Sequence, residues 1–296
     1  MNFPPNNFEE LRQIAILLRQ GDLELPIGRK TLHGLELMIN NPELVATSNI
    51  VELSKWALLS PASITRLSKL LGFQGFNKFK IVFKQKSKLP NDFYSDRVRR
   101  LIDNKSTSAK ELLTQHLTIV KNIIERCIEN THEAELVLAS CLLAKKHRIF
   151  IFGHRQSSAI ANVLRYGLAL IRPNVQMLVQ ADHGVAIALG QLKKEDLLVV
   201  IGSSPYSNIT VKIASLAHQQ GCQILAITDS ELSPFIEYAA VALQIPTEGE
   251  FYANSTVTST FIIEGLLCLT ATQLGNVAVN NLQRHEILLS HLNEAT

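Results

Sequence analysis

Residues 49–80 read NIVELSKWALLSPASITRLSKLLGFQGFNKFK, and two helix starts sit inside them. Asn49 with Glu52 three residues on is a capping box, in which each side chain satisfies an orphan amide, and it opens a short helix from Ile50 to Ala57. Ser60 followed by Pro61 is a second start: a hydroxyl cap with proline at the first helical position, where its missing N–H costs nothing. This helix runs to about Leu71 and is closed by Gly72. Ile64, Leu67 and Leu71 are spaced i, i+3, i+7 and turn inward, which leaves Ser63, Thr65, Arg66 and Lys69 outside. The stretch therefore predicts helix, tight turn, helix.

Between Leu53 and Asn91 the chain carries eight basic residues (Lys55, Arg66, Lys69, Lys78, Lys80, Lys84, Lys86, Lys88) and no Asp or Glu. A block of Lys alone is commonly a solvated face, and helix pairs occur in many folds. The two together point to a reader of duplex DNA. A major groove admits one helix, and Arg is the commonest base reader because its fork matches the two acceptors of guanine. Arg66 is the first candidate for a base contact, with Ser63 and Thr65 as lesser ones; a phosphate or solvent role for Arg66 stays open, because about half or more of protein–DNA hydrogen bonds go to the backbone. Lys80, Lys84 and Lys88 form an i, i+4, i+8 row suited to phosphate or simply to water. Ser60, Lys69 and Lys78 complete the candidate DNA-contacting set.

The run from Ser60 to Lys80 resembles the helix-turn-helix of the RpiR (MurR/RpiR) transcription regulators, most specifically in Arg66 followed by Leu71-Gly72-Phe73-Gln74-Gly75-Phe76 and then Phe79-Lys80. One departure stands in the turn: Leu58 occupies the place where that family usually has Gly, so either Leu58 takes a backbone conformation that favours glycine or the turn differs.

Upstream, helical periodicity covers Phe8 to about Leu18 and Arg29 to Ile39, where Leu32, Leu35, Leu37 and Met38 fall near one stripe before Asn41 and Pro42 end the pattern. Downstream, apolar periodicity fades and Pro90, Asn91, Asp92, Asp96, Asp103 and Asn104 gather. Residues 1–87 are expected to form the helix-turn-helix domain, 88–108 a linker with a helix over part of it, and 109–296 a second domain.

Beyond Ala109, long helical patterns alternate with apolar runs at Arg148–Phe152, Val175–Val179, Leu197–Ile201, Gln223–Ile227 and Val241–Ile245. Short apolar runs separated by helices predict a five-stranded parallel sheet covered on both faces, a doubly wound α/β (αβα) sandwich whose ligands sit beyond the carboxyl ends of the strands. The first run ends in Gly153-His154-Arg155-Gln156-Ser157-Ser158 and the third in Gly202-Ser203-Ser204-Pro205-Tyr206-Ser207-Asn208. Both place small hydroxyl residues where a helix begins, where backbone amides favour an anion, although such serines also serve as plain caps. His154 and His183 at loop positions, and Glu248 and Glu250 in a polar loop, are within reach of sugar hydroxyls or are ordinary surface groups. Gly167 and Gly265 within helical patterns suggest close packing, and the apolar stripes at about Asn254–Leu274 and Leu282–Leu292 suit subunit contact or the core.

From about Arg148 to Gly275 the chain resembles a SIS (sugar isomerase) domain, the usual C-terminal partner in RpiR regulators, and such domains bind phosphorylated sugars. The resemblance implies a ligand set of Gly153, Ser157, Ser203, Ser204 and Ser207, to which Glu248 is added as a sugar-hydroxyl partner. It matches Ala226-Ile227-Thr228-Asp229 and Ser233-Pro234 as well. Gly202 stands where that family has its first loop serine, Pro205 where it has a glycine, and Arg155 at the second glycine of the first loop.

The 296 residues are 46% hydrophobic and 19% charged, the composition of a globular protein with a filled core. Residues 1–105 hold 16 Lys and Arg against 10 Asp and Glu, a net +6; the whole chain at +3 leaves −3 for the other 191. Cys127, Cys141, Cys222 and Cys268 are widely spaced, which argues against a disulfide framework or a zinc site and for a cytoplasmic protein. No signal peptide or membrane span is expected. These readings converge on a DNA-binding regulator that senses a phosphorylated sugar or amino sugar, is not an enzyme, needs no cofactor, and acts as a homodimer or homotetramer on an inverted-repeat operator. The rival is a sugar-phosphate isomerase with a basic appendage, for which Glu248, Glu250, Glu264, His154 and His183 offer the chemistry without a diagnostic spacing.

Overall fold

A ladder of aromatic rings holds the first of two units in the computed structural model, which describes residues 4–87, 93–103, 108–178, 184–247 and 251–292. This unit, Met1–Asp103, contains α1 (Phe8–Gln20), α2 (Arg29–Asn40), α3 (Pro42–Thr47), α4 (Ile50–Trp56), α5 (Pro61–Leu70), α6 (Phe76–Ser87) and α7 (Phe93–Asp103). Phe79 and Phe83, one turn apart on α6, meet edge to face at 4.9 Å; Phe83 meets Phe8 of α1 at 5.7 Å and Phe79 meets Phe73 at 5.5 Å. Edge-to-face contacts of this kind add about 0.5–1.5 kcal/mol each to the burial of the rings. Leu11, Ile14, Leu35, Met38, Leu53, Ile64, Leu67 and Leu71 are fully buried.

The expected caps form. Asn49 accepts from the Val51 and Glu52 amides while Glu52 accepts from the Asn49 amide, and Ser60 Oγ accepts from the Ser63 amide at 3.0 Å. The α2 pattern ends at Asn41 and Pro42 as expected, and Pro42 also begins α3, because a first-turn proline loses no hydrogen bond. On α2 the buried positions are Gly34, Leu35, Met38 and Ile39, while Leu32 and Leu37 are half-buried.

Of the two resolutions open at Leu58, the structure takes the first. Leu58 sits at φ +54 with its side chain 70% exposed, so it adopts the left-handed backbone without a packing reward. Its neighbour Leu59 turns back onto α2. A Cβ at Gly34 would lie 2.4 Å from Leu59 Cδ1, so glycine there gives the turn its seat.

The second unit, Asn104–Thr296, runs α8 (Ala109–Asn130), α9 (Glu133–Lys145), β1 (Ile149–Gly153), α10 (Ser157–Ile171), β2 (Val175–Met177), α11 (Val185–Gly190), β3 (Leu197–Ile201), α12 (Asn208–Gln219), β4 (Gln223–Thr228), a short 3₁₀ turn (Ile236–Tyr238), β5 (Val241–Gln244), α13 (Val257–Leu274) and α14 (Asn276–Leu292). All pairings are parallel, in the order β2-β1-β3-β4-β5. Alternation along the strands splits the core: Ile149, Ile151, Val199 and Ile227 face α8, α9, α10 and α13, while Phe150, Phe152, Val200 and Ala226 face α11, α12 and Phe235. Val179, expected in the second strand, lies outside the described residues.

Polar groups buried at the strand starts are paired. Asp196, 3% exposed, accepts from Arg148 Nε at 2.8 Å and Nη2 at 2.5 Å and from the Lys193 amide at 2.7 Å, tying the start of β1 to that of β3. Arg172, 6% exposed, follows α10 and donates to the carbonyls of Leu143, Ala144, Lys146 and His147, closing the end of α9. Burial pushes its basicity down and the Cys222 thiol up to about 11, so that thiol stays neutral near pH 7. Gly167 admits Leu267, whose Cδ1 would lie 2.3 Å from an added Cβ; Gly265, against expectation, faces open space. Among the described residues α13 alone is long and apolar enough to cross a membrane, and one face of it packs on α9, α10 and α8.

Leu58→Gly is expected to stabilise the first unit by about 0.5–1 kcal/mol, since relief of roughly 1–2 kcal/mol of left-handed strain outweighs the entropy glycine adds to the unfolded chain. The lone Trp56 lies in this unit, so its fluorescence in a urea titration reports that shift separately; an unchanged midpoint contradicts it. Arg172→Ala is expected to cost about 2–4 kcal/mol by orphaning buried carbonyls, read by urea unfolding of far-UV circular dichroism.

Candidate functional site

Two surfaces carry the candidate residues. On the first unit, α5 keeps Ile64, Leu67 and Ser68 inward and presents Arg66 and Lys69 to solvent. Arg66, Lys69 and Lys78 are exposed and without partners among the described residues. The smaller members of the predicted set are already engaged. Ser60 Oγ and Ser63 Oγ share a hydrogen bond at 2.8 Å within the cap, and Thr65 Oγ1 donates to the Pro61 carbonyl at 3.0 Å. Lys80 is half-buried, and its Nζ donates to the Ser48 carbonyl at the end of α3 at 2.6 Å, so it serves as a helix C-cap between α6 and α3. The i, i+4, i+8 row is thereby broken: Lys84 is exposed on α6, and Lys88 lies outside the described residues.

On the second unit the chain leaves β1 towards β2 on one side and returns through β3 on the other, so the loops after β1 and β3 diverge and open a crevice. A cleft lies there. Its apolar floor is Ile160, Ile201, Ile227 and Ile245 at the strand ends and on α10. Around them stand the hydroxyls of Ser157, Ser203, Thr228, Thr247, Ser255, Thr256 and Ser259 and the amides of Gln156 and Asn254. No charged side chain lines it among the described residues.

Asn254 ties the walls together. Its Nδ2 donates to Ser203 Oγ at 3.0 Å and to the Ser204 carbonyl at 2.7 Å, while its own carbonyl accepts from Gln156 Nε2 at 2.8 Å. The loop after β3 is also held from below. Asp229, just past β4, accepts from the Ser204 amide at 3.0 Å and from the Tyr206 hydroxyl at 2.7 Å. Ser207 Oγ pairs with His154 Nδ1 at 2.9 Å, joining the loops after β1 and β3.

The predicted ligand residues thus separate. Ser157 and Ser203 line the cleft; Ser204 and Ser207 brace the loop behind it. Gly153 is needed for close approach, since a Cβ there would lie 2.3 Å from the Ser157 carbonyl oxygen. Glu248, with Glu250 and His183, lies outside the described residues. The three departures from the expected loops also resolve. Arg155 takes the left-handed backbone at φ +56 that a glycine would favour; Gly202 backs onto Phe235, whose ring carbon would lie 2.7 Å from a Cβ; and Pro205 contributes no amide to the loop. Thr247, Asn254, Thr256 and Ser259 were missed from sequence, because they lie about 50 residues beyond the serine loop and only the sheet brings them to it.

Residues 30–88 match the model for the helix-turn-helix domain of the rpiR family, and residues 142–269 match that for the SIS domain. The chain is 25% identical over 231 residues to an uncharacterized HTH-type transcriptional regulator of Haemophilus influenzae, covering 77% of this chain and 78% of that one. Among solved structures it is similar to the sugar isomerase domain of an RpiR transcription factor from Sphaerobacter thermophilus, with TM-score 0.57 and 23% identity over 60% of this chain and 98% of that one. It is also similar to the Vibrio vulnificus NanR protein complexed with ManNAc-6P, with TM-score 0.55 and 16% identity over 94% of this chain and 98% of that one.

Because Asp229 anchors the loop through two charge-assisted bonds, Asp229→Ala is expected to destabilise the second unit by about 2–4 kcal/mol. Thermal unfolding by circular dichroism reads this, and Trp56 fluorescence is expected to stay unmoved.

Proposed function

We propose, from the premise that the chain belongs to the RpiR family of helix-turn-helix transcriptional regulators with a SIS domain, that it binds DNA through α5 and that its cleft senses a phosphorylated sugar or amino sugar. The observation that carries this reading is the pairing, in one chain, of an exposed basic recognition face with a neutral, hydroxyl-lined cleft at the switch point of a parallel sheet. Hydroxyls and amides exchange hydrogen bonds with sugar hydroxyls in either direction, and the apolar floor suits the carbon face of a ring. The ManNAc-6P complex of the similar NanR protein supports the same ligand class.

In this reading Arg66 contacts base edges, and Lys69 and Lys78 contact phosphates. Ser157 and Ser203 touch the ligand, and Gly153, Ser204 and Ser207 shape the walls. A regulator rather than an isomerase is favoured because isomerisation needs a general base at the substrate carbon. The described lining offers hydroxyls and amides, His154 is turned to Ser207, and Glu264 is exposed on α13. Val163 and Tyr166 on α10, Phe261 on α13, and Val277, Ile287 and Leu288 on α14 are exposed apolar groups that support self-association as a dimer or dimer of dimers. Two-fold symmetry would present two copies of α5 to an inverted-repeat operator in the cytoplasm, and ligand would act by favouring one arrangement of the pair.

Fluorescence anisotropy on the DNA upstream of the chain's own gene, at fixed salt and with a panel of hexose and amino-sugar phosphates, tests this. Saturable binding that outcompetes random DNA and responds to one compound is expected; binding equal to that of random DNA counts against control of its own promoter. Arg66→Ala is expected to weaken specific binding by about 1–3 kcal/mol, and Lys69→Ala to reduce the salt slope by about 1.

A further inference from the structure

The helix α5 offers a narrow choice of groups to DNA. Residues 61–70 read PASITRLSKL and contain no Asn, Gln, Asp or Glu. Those are the side chains that read adenine through N6 and N7 or accept from the amino group of cytosine. Direct readout by α5 is therefore left to its hydroxyls, to Arg66 and Lys69, and to apolar contact.

The hydroxyls are engaged within the unit. Ser60 Oγ accepts from the Ser63 amide and shares a second hydrogen bond with Ser63 Oγ; Thr65 Oγ1 donates to the Pro61 carbonyl, and buried Ser68 Oγ to the Ile64 carbonyl. Ala62 is exposed, as are Arg66 and Lys69. Their spacing of i, i+4, i+7 puts the three on one stripe, with Ala62 at its N-terminal end. In a helix-turn-helix the N-terminal part of the second helix meets the base edges of the major groove. The group that α5 brings there first is a methyl, and its apolar counterpart in that groove is the C5-methyl of thymine. Exposed Lys55, Lys69 and Lys78 surround this stripe, and residues 53–91 hold no Asp or Glu, which suits the phosphates on either side of the groove.

We infer that Ala62 packs on a thymine C5-methyl and makes that base a determinant of the operator half-site, beside the guanine read by Arg66. At 1.5 Å of rise per residue the two side chains start about 6 Å apart along α5, so the thymine stands within about two base pairs of the guanine. This rests on the reading of α5 as the recognition helix and adds the second base that it reads.

The test begins with a duplex selected from random DNA by the full chain. Each thymine in it is then replaced singly by deoxyuridine, which pairs identically but lacks the methyl, and affinity is read by fluorescence anisotropy at fixed salt. One replacement per half-site is expected to weaken binding about three- to fourfold, the worth of one buried methyl. In Ala62→Gly that penalty is expected to vanish, so that the thymine and uridine duplexes bind alike. The ratio of the two affinities within one variant does not depend on how much of that variant is folded. Should Ala62→Gly fail to fold by circular dichroism, Ala62→Asn, whose side chain suits the first turn of a helix, is expected to lose the same penalty. If no thymine beside a guanine is sensitive to its methyl, or if the penalty persists in the variants, the inference is overturned and the regulator reading stands. If no duplex outcompetes random DNA, both fall.

Discussion

Strands buried on both faces must satisfy every backbone group within the sheet, and in the second unit that constraint arranges everything else. Five parallel strands pair in order β2-β1-β3-β4-β5, so each connection has to cross a face, through α10, α11 and α12 in the first three cases and through a loop with one 3₁₀ turn between β4 and β5. The order reverses beside β1. Because the chain departs from β1 in one direction and from β3 in the other, the two following loops cannot close over each other, and the cleft is what the reversal leaves. The helices α10 and α13 begin beside it and contribute Ser157, Ile160 and Ser259 to its lining. Asp196 and Asp229 hold opposite ends of this arrangement, one clamping the strand starts and the other the loop that follows β3.

Glycine positions show how far a local rule bends when tertiary packing permits. Leu58 and Arg155 both stand where the resemblance leads one to expect glycine, and both take the left-handed backbone glycine would have taken. Both side chains point to solvent, so the strain is confined to the backbone, about 1–2 kcal/mol each, and no neighbour is displaced. Gly202 is the converse case. There the backbone is ordinary and the constraint is the ring of Phe235, which fills the space a serine side chain would need. One deviation therefore preserves loop geometry, while the other alters what the loop presents.

Charge is divided in the same way. The basic residues of the helix-turn-helix read as one block, yet they have different tasks once folded. Lys80 caps α3, whereas Arg66, Lys69 and Lys78 remain in water. A lysine on a helix covers several ångströms of neighbouring surface, and whether it meets a carbonyl depends on a helix 30 residues earlier in the chain.

The sequence by itself determined the two-part organisation, the helix-turn-helix and its caps, and the five parallel strands, because these follow from short-range patterns: capping spacings, apolar periodicity and strand length. It also marked Ser157 and Ser203, which sit at strand-to-helix turns. Only the tertiary structure decided that the Ser204 amide, the Ser207 hydroxyl and Lys80 are turned to structural partners, that Leu58 and Arg155 keep glycine-like turns, and that Thr247, Asn254, Thr256 and Ser259 share a wall with residues some 50 to 100 positions away. The physical reason is that a hydrogen bond between distant segments depends on where the sheet places their ends, and no local pattern of residues records that distance.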